Sequence, residues 1–186
     1  DIFQERLYAI QWISKAAMGS ARPKTYFAGV KDADLERERE VDAIVSDSLA
    51  GWQEQGLVPD MPIEPGYNTT QPIWERGWTH WHHLFNARQL LLQALMQKYW
   101  RASDAAKLGW INLAKAADFN AKLSRWKPSQ GGGLGGPVGV FSNMALNTFF
   151  NYATRAWQGF GASSFKMSHV PLPPVERVVT TATANQ

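Results

Sequence analysis

The sequence contains no cysteine, which excludes both a disulfide framework and a thiolate zinc site. Any metal would therefore need histidine and carboxylate ligands. The sequence also lacks the roughly 18 uninterrupted apolar residues that a membrane span requires, and it lacks the basic start and apolar run of a signal peptide. We therefore expect no membrane partner and a cytoplasmic location.

Neither sign of charge predominates, because the formal net charge is only +3. A net charge of this size does not identify a nucleic-acid binder. Hydrophobic residues make up 45% of the chain and charged residues 19%, a balance that predicts a folded domain. Tryptophan is unusually frequent, with nine in 186 residues. Such side chains either fill a core or form platforms on which bases and partners stack.

No nucleophile with an evident base can be assembled, so stand-alone hydrolase chemistry has no support. The histidines His80, His82 and His83 are clustered, but their spacing suits a metal site poorly on either a strand or a helix. Hydrogen-bonding or phosphate-facing roles are the favoured interpretation. Residues 129–139 contain six glycines, but no Gly-Lys-Ser/Thr ending follows, so a mobile connector is predicted instead of a phosphate loop.

The pattern of apolar residues predicts a mainly α (α+β) protein in five regions. Residues 1–30 are predicted to form a β-hairpin, and residues 31–56 a helix with Asp32 as N-cap and Gly56 at its end. A proline-rich linker, 57–73, should lie on a surface. Residues 74–160 should form a helical core with the glycine-rich loop 129–139, and residues 161–186 an extended arm and strand.

Within the helical core, Asn86 and Gln89 predict a capping box for a helix that runs to about Trp100. A further helix is predicted from Ser103 to near Trp126, and a last one over residues 142–158. With the helix at 31–56, this gives about four helices.

Basic and aromatic residues alternate in two places, a pattern that can grip phosphates while aromatic faces stack on bases. The first place contains Arg76, Trp78, Trp81 and Arg88, and the second Arg125, Trp126 and Lys127. Packing combined with ordinary surface charge is the alternative explanation for both.

One stretch resembles a known family: Gly77-Trp-Thr-His-Trp-His-His-Leu-Phe-Asn-Ala-Arg-Gln-Leu-Leu. It is similar to the Trp-x-Asp-Leu-Phe-x-x-Arg-Gln-Leu motif of the large prokaryotic adenine-specific DNA methylases that often carry a zinc ribbon. His83 stands where that family has aspartate. Other landmarks follow in similar order: Arg6-Leu-Tyr-Ala-Ile, Asp34-Leu-Glu-Arg-Glu, Gly56-Leu-Val-Pro, Asp118-Phe-Asn-Ala-Lys-Leu-Ser-Arg-Trp and Phe141-Ser-Asn-Met-Ala-Leu.

The resemblance implies an internal segment of a methyltransferase that uses S-adenosylmethionine. In the family, the cofactor loop precedes this region and an Asp-Pro-Pro-Tyr-type catalytic motif follows it, so we expect the segment alone to be inactive. Residues 175–186 would then be a strand of an incomplete Rossmann-like sheet. The expected partners are DNA, the remainder of the methyltransferase and proteins of a restriction or phage-defence system.

The resemblance further implies that the segment supplies DNA contacts or supports the catalytic fold. The candidate DNA-binding residues are Arg76, Trp78, Trp81, Arg88, Gln89, Arg125, Trp126 and Asn143. Arg88 and Gln89 are equally compatible with a role as helix-start residues that hold the fold. Two other classes stay open: a helical protein-interaction module with tryptophan anchors, and a small metal-dependent enzyme that uses the histidine cluster.

Overall fold

A computed structural model describes residues 6–17, 25–102, 106–127 and 136–140. The described part is mainly helical and begins with an antiparallel β-hairpin, which confirms the predicted fold class. Its strands are β1 (Ala9–Ile13), β2 (Thr25–Gly29), β3 (Arg125–Lys127) and β4 (Gly136–Val138), and its α-helices are α1 (Asp32–Glu54), α2 (Thr70–Arg76), α3 (Ala87–Arg101) and α4 (Ala106–Phe119). Within these ranges, every helix is too short or too polar to span a bilayer.

Helix α1 begins one residue earlier than expected for an Asp32 cap. Lys31 occupies the N-cap position, and its backbone N–H donates to Oδ2 of Asp34 at 3.0 Å. Asp32 is therefore the first helical residue, where its negative charge still favours the helix dipole. At the other end Gly56 has a φ of 63°, as expected for a glycine that turns the chain away from a helix.

The main core lies between α1 and α3. Its buried members are Val45, Leu57, Val58, Leu90 and Ala94. Arg101 strengthens this packing, because its guanidinium donates to the carbonyl oxygens of Gln55 at 2.5 Å and Gly56 at 2.8 Å. The end of α3 thus supplies donors to the two backbone carbonyl groups that directly follow α1.

The prediction that the proline-rich residues 57–73 lie on a surface was wrong in part. Leu57, Val58 and Ile63 are only 5%, 3% and 5% exposed. Proline prevents regular backbone ladders but leaves neighbouring apolar side chains free to enter a core. The linker also contains most of α2, in which Pro72 lies in the first turn and needs no hydrogen-bond partner for its nitrogen.

Helix α4 ends at Phe119, well before the predicted end near Trp126. The chain turns there because polar side chains bind the backbone: Asn120 Nδ2 donates to Ala116 O at 2.8 Å, and Ser124 Oγ accepts from Ala121 N–H at 3.2 Å. Such local bonds compete with helix continuation. The chain then enters β3.

Part of the glycine-rich segment forms a strand, because β4 pairs antiparallel with β3 and places Pro137 opposite Trp126. The prediction of a loop across all of 129–139 was therefore wrong for residues 136–138. The predicted helix at 142–158 and the predicted C-terminal strand lie outside the described residues.

Candidate functional site

Trp78 is the centre of the first basic and aromatic cluster. Gly77, with a φ of 70°, ends α2 and turns the chain so that Trp78 enters the interior, where it is 2% exposed. Cζ of Arg76 lies 5.7 Å from the centroid of the Trp78 ring, and Nζ of Lys122 lies 5.5 Å from it. Two cations at such distances stabilise an indole electrostatically. This burial favours the packing alternative for Trp78 over the stacking alternative.

Arg76 itself is only 2% exposed. A phosphate or base could reach its guanidinium only if this part of the fold opened. The predicted DNA contact by Arg76 therefore requires a rearrangement, whereas its contact with the Trp78 ring requires none.

Trp81 is the accessible aromatic residue of the cluster, with 38% of its surface exposed. It begins the short 3-10 helix Trp81–Leu84. Its backbone N–H donates to Met61 O at 3.2 Å, and Lys122 N–H donates to Leu84 O at 2.7 Å. Trp81 is thus a partly exposed indole on a backbone segment that two distant parts of the chain hold in place.

Arg88 lies in the first turn of α3 and forms an ion pair with Glu38 of α1. Burial lowers the pKa of the Arg88 guanidinium, and the nearby carboxylate of Asp34 acts in the opposite direction. Asp34 is itself buried and accepts a hydrogen bond from Arg37 Nη1 at 2.7 Å. The charge of Arg88 is therefore directed at α1.

Gln89 is completely buried, with 0% exposure. Its side-chain oxygen accepts from the backbone N–H of Asn86 at 2.9 Å, and its own backbone N–H donates to Oδ1 of Asn86 at 2.9 Å. This reciprocal pair confirms the predicted capping box. The sequence left two roles open for Arg88 and Gln89, DNA contact and support of the fold at the helix start. Their observed contacts are those of helix-start residues.

The three histidines lie side by side next to Trp81. Their ring centroids are 5.6 Å apart for His80 and His82, 5.5 Å for His80 and His83, and 4.4 Å for His82 and His83. Nδ1 of His83 accepts from Thr79 N–H at 3.1 Å, and Nδ1 of His82 lies 3.3 Å from Gln53 Nε2. These bonds fit the predicted hydrogen-bonding role.

The surroundings favour the neutral form of His82 and His83. Burial lowers the pKa of His83 to about 4, with further lowering by the neighbouring His82 and His80 and by Lys122. Burial and His80 also lower the pKa of His82. Across the described ranges, no group of three or more histidine, cysteine or acidic side chains has an arrangement that could hold a metal ion.

The second predicted cluster lies on β3, where Arg125 pairs with Val138 and Trp126 with Pro137. Asn143 lies outside the described residues. The structure therefore places Arg76 beside the Trp78 ring, and it places Arg88 and Gln89 together at the start of α3. The first cluster consequently consists of a packed part and an exposed part.

Two residues of these clusters escaped sequence reasoning. Glu38 is one of many acidic residues on α1, and Lys122 follows α4 without a distinctive motif. No local pattern marks either one, because their partners Arg88 and Trp78 lie in other elements.

The sequence matches no protein family, no curated protein and no solved structure.

Proposed function

We propose that the chain is an internal segment of a DNA adenine-N6 methyltransferase, in which it supports the catalytic fold and contributes DNA contacts. The observation that carries this proposal is the state of the Arg-Gln pair in the methylase-like motif. Arg88 is ion-paired with α1 and Gln89 is fully buried in the capping box of α3. Support of the fold is therefore the main role proposed for this motif.

The proposed chemistry is methyl transfer from S-adenosylmethionine to the exocyclic amino group of an adenine that is flipped out of the duplex. Flipping costs a few kcal/mol, which contacts to the phosphates and the partner strand must offset. The described residues do not fit the cofactor, because their strands pair only antiparallel and they contain no Asp-Pro-Pro-Tyr-type tetrapeptide. No step of methyl transfer is assigned to them.

Trp81 is the best placed of the predicted contact residues for DNA, because its indole is partly exposed beside the histidine cluster. The proposed partners are DNA, the remainder of the methyltransferase and proteins of a restriction or phage-defence system. A cytoplasmic location belongs to the same proposal.

The test is a methyl-transfer assay with radiolabelled S-adenosylmethionine and duplex DNA. The protein expressed from the complete gene should form N6-methyladenine, whereas the 186-residue chain should not. Gln89→Ala in the complete protein should lower activity in proportion to the loss of folded protein. A complete, folded gene product that transfers no methyl group to adenine would refute the proposal.

A protein-interaction module is the second candidate function. It is favoured by the aromatic side chains on either side of the start of α2, since Tyr67 is 100% exposed and Trp74 78% exposed. Exposed aromatic residues of this kind anchor protein interfaces. Partner binding through Trp74 should change little with salt, whereas DNA binding should weaken steeply.

A further inference from the structure

The N-terminal hairpin and the residue before its first strand carry four exposed aromatic side chains. Tyr8, Trp12, Tyr26 and Phe27 are 62%, 39%, 53% and 48% exposed. Trp12 is directly opposite Tyr26 in the register of β1 and β2. Residues directly opposite each other in an antiparallel pair place their side chains on the same face. Trp12 and Tyr26 therefore form an aromatic pair on one face of the hairpin.

Charge in this part of the chain is strongly segregated. Residues 6–31 contain five basic residues, Arg6, Lys15, Arg22, Lys24 and Lys31, and no acidic residue. The whole chain has a net charge of only +3, so the other residues together carry −2. The next element, α1, has eight acidic and two basic residues. Arg6, Lys15 and Lys31 are all exposed.

We propose that the β1–β2 hairpin is a binding surface for an unpaired nucleic-acid strand, with Trp12 and Tyr26 stacking on bases and Lys15 contacting the phosphates. Aromatic side chains stack on unpaired bases of any sequence, and nearby cations follow the phosphate backbone. A polyanion is the partner that fits this surface, because residues 6–31 contain five basic residues and no acidic residue. A nucleic-acid strand supplies one charge and one aromatic ring with every nucleotide.

The inference deepens the proposed function in one respect, because it also takes nucleic acid as the partner. It does not rest on methyl transfer. It also assigns the contact to a different surface from the candidates at Trp78 and Arg88, which are occupied by packing and by an ion pair. An unpaired strand presents free ring faces, as does a base that is flipped out of a duplex.

The experiment measures fluorescence anisotropy of a short labelled single strand of mixed sequence, titrated with the 186-residue chain at two salt concentrations. Trp12→Ala and Tyr26→Ala should each weaken binding by roughly 5- to 150-fold, the range expected for the loss of one base–aromatic stack. Lys15→Glu should weaken binding and reduce its salt dependence. Trp12→Phe should retain most of the affinity because it keeps a ring on this face.

Matched controls come from α3 and α4. Trp110 is 52% exposed and Lys98 is exposed, so Trp110→Ala and Lys98→Glu make similar changes away from the hairpin. Both should leave the affinity within about twofold of the parent chain, because each removes an exposed group that touches no nucleic acid. Far-UV circular dichroism identifies any variant that fails to fold, and Lys15→Glu tests the proposal if Trp12→Ala misfolds.

The proposal is overturned if the parent chain binds no single strand at low salt, or if hairpin and control variants lose affinity equally. Binding that does not depend on the salt concentration overturns it as well, since this would indicate aromatic contacts without contacts to the phosphates. Failure of methyl transfer by the complete protein, with hairpin-dependent strand binding intact, would refute the proposed function alone.

Discussion

The guanidinium of Arg88 at the start of α3 is ion-paired with the carboxylate of Glu38 in α1, and both side chains are about one-third exposed, at 33% and 29%. The two residues join the helices whose apolar faces form the main core. The pair therefore lies at the edge of that core, between a fully solvated and a fully buried position.

Loss of the pair should destabilise the fold to an intermediate degree. Exposed ion pairs contribute about 0–1 kcal/mol, whereas breaking a buried pair costs about 3–5 kcal/mol. We expect Arg88→Gln or Glu38→Gln to lower the free energy of unfolding by about 1–3 kcal/mol. Urea denaturation of both variants and the double variant gives the coupling energy between the two side chains. Additive losses would show that the pair contributes nothing specific.

The capping box should account for much of the stability of the start of α3. Asn86→Ala is expected to cost about 1 kcal/mol, as for other N-cap residues. Gln89→Ala should cost more, about 1–3 kcal/mol, because it removes a buried side chain and leaves the part-buried Asn86 N–H without its acceptor. Gln71→Ala, on the exposed surface of α2, is the control and should change stability by less than about 0.5 kcal/mol. Equal effects at Gln71 and Gln89 would contradict the assignment.

Acid should destabilise the protein through His83. Its pKa is about 4 in the folded protein, against an ordinary value near 6.5 in the unfolded chain. The unfolded chain therefore binds the proton first, so the contribution is fully present above pH 6.5 and is lost as the pH falls from about 6.5 to about 4.

The measurement is the urea midpoint across that pH range for the parent chain and for His83→Asn. In the parent chain His83 Nδ1 accepts a hydrogen bond from the Thr79 N–H. The asparagine side chain can accept the same bond through its oxygen, but asparagine does not titrate. The variant should show a flatter pH profile. An unchanged profile would mean that other groups cause the acid sensitivity.

Two helical glycines should respond in opposite directions to substitution by alanine. A Cβ atom at Gly109 in α4 would overlap Cβ and Cγ of Trp100, so Gly109→Ala should cost about 1–3 kcal/mol. At Gly51 in α1 the nearest group, Nε2 of Gln55, would be 3.9 Å away. Gly51→Ala should therefore stabilise the protein by about 0.5–1 kcal/mol. Thermal unfolding compares the two, and stabilisation by Gly109→Ala would contradict the close packing of α4 against Trp100.

Local sequence was sufficient where an element depends on its own residues. The hairpin follows from alternating aromatic and branched residues, and α3 begins where Asn86 and Gln89 predicted because both capping partners lie within one turn. The predicted end of α4 was wrong because the side chains of Asn120 and Ser124 form hydrogen bonds with the backbone there. The periodicity of apolar residues does not reveal such bonds. The depth of Leu57 and Val58 was missed because proline content predicts irregular backbone and says nothing about burial.

The amino-acid sequence by itself determined the hairpin and the helices α1 and α3, and it concentrated positive charge and aromatic residues near the N-terminus. Only the tertiary structure decided which cations and indoles face solvent. Arg88 faces Glu38 of α1 and Trp78 lies beneath Lys122, and in each case the partner comes from a different part of the chain. Burial is a property of the assembled helices, so identical residue types at Trp12 and Trp78 have opposite exposures that no local pattern distinguishes.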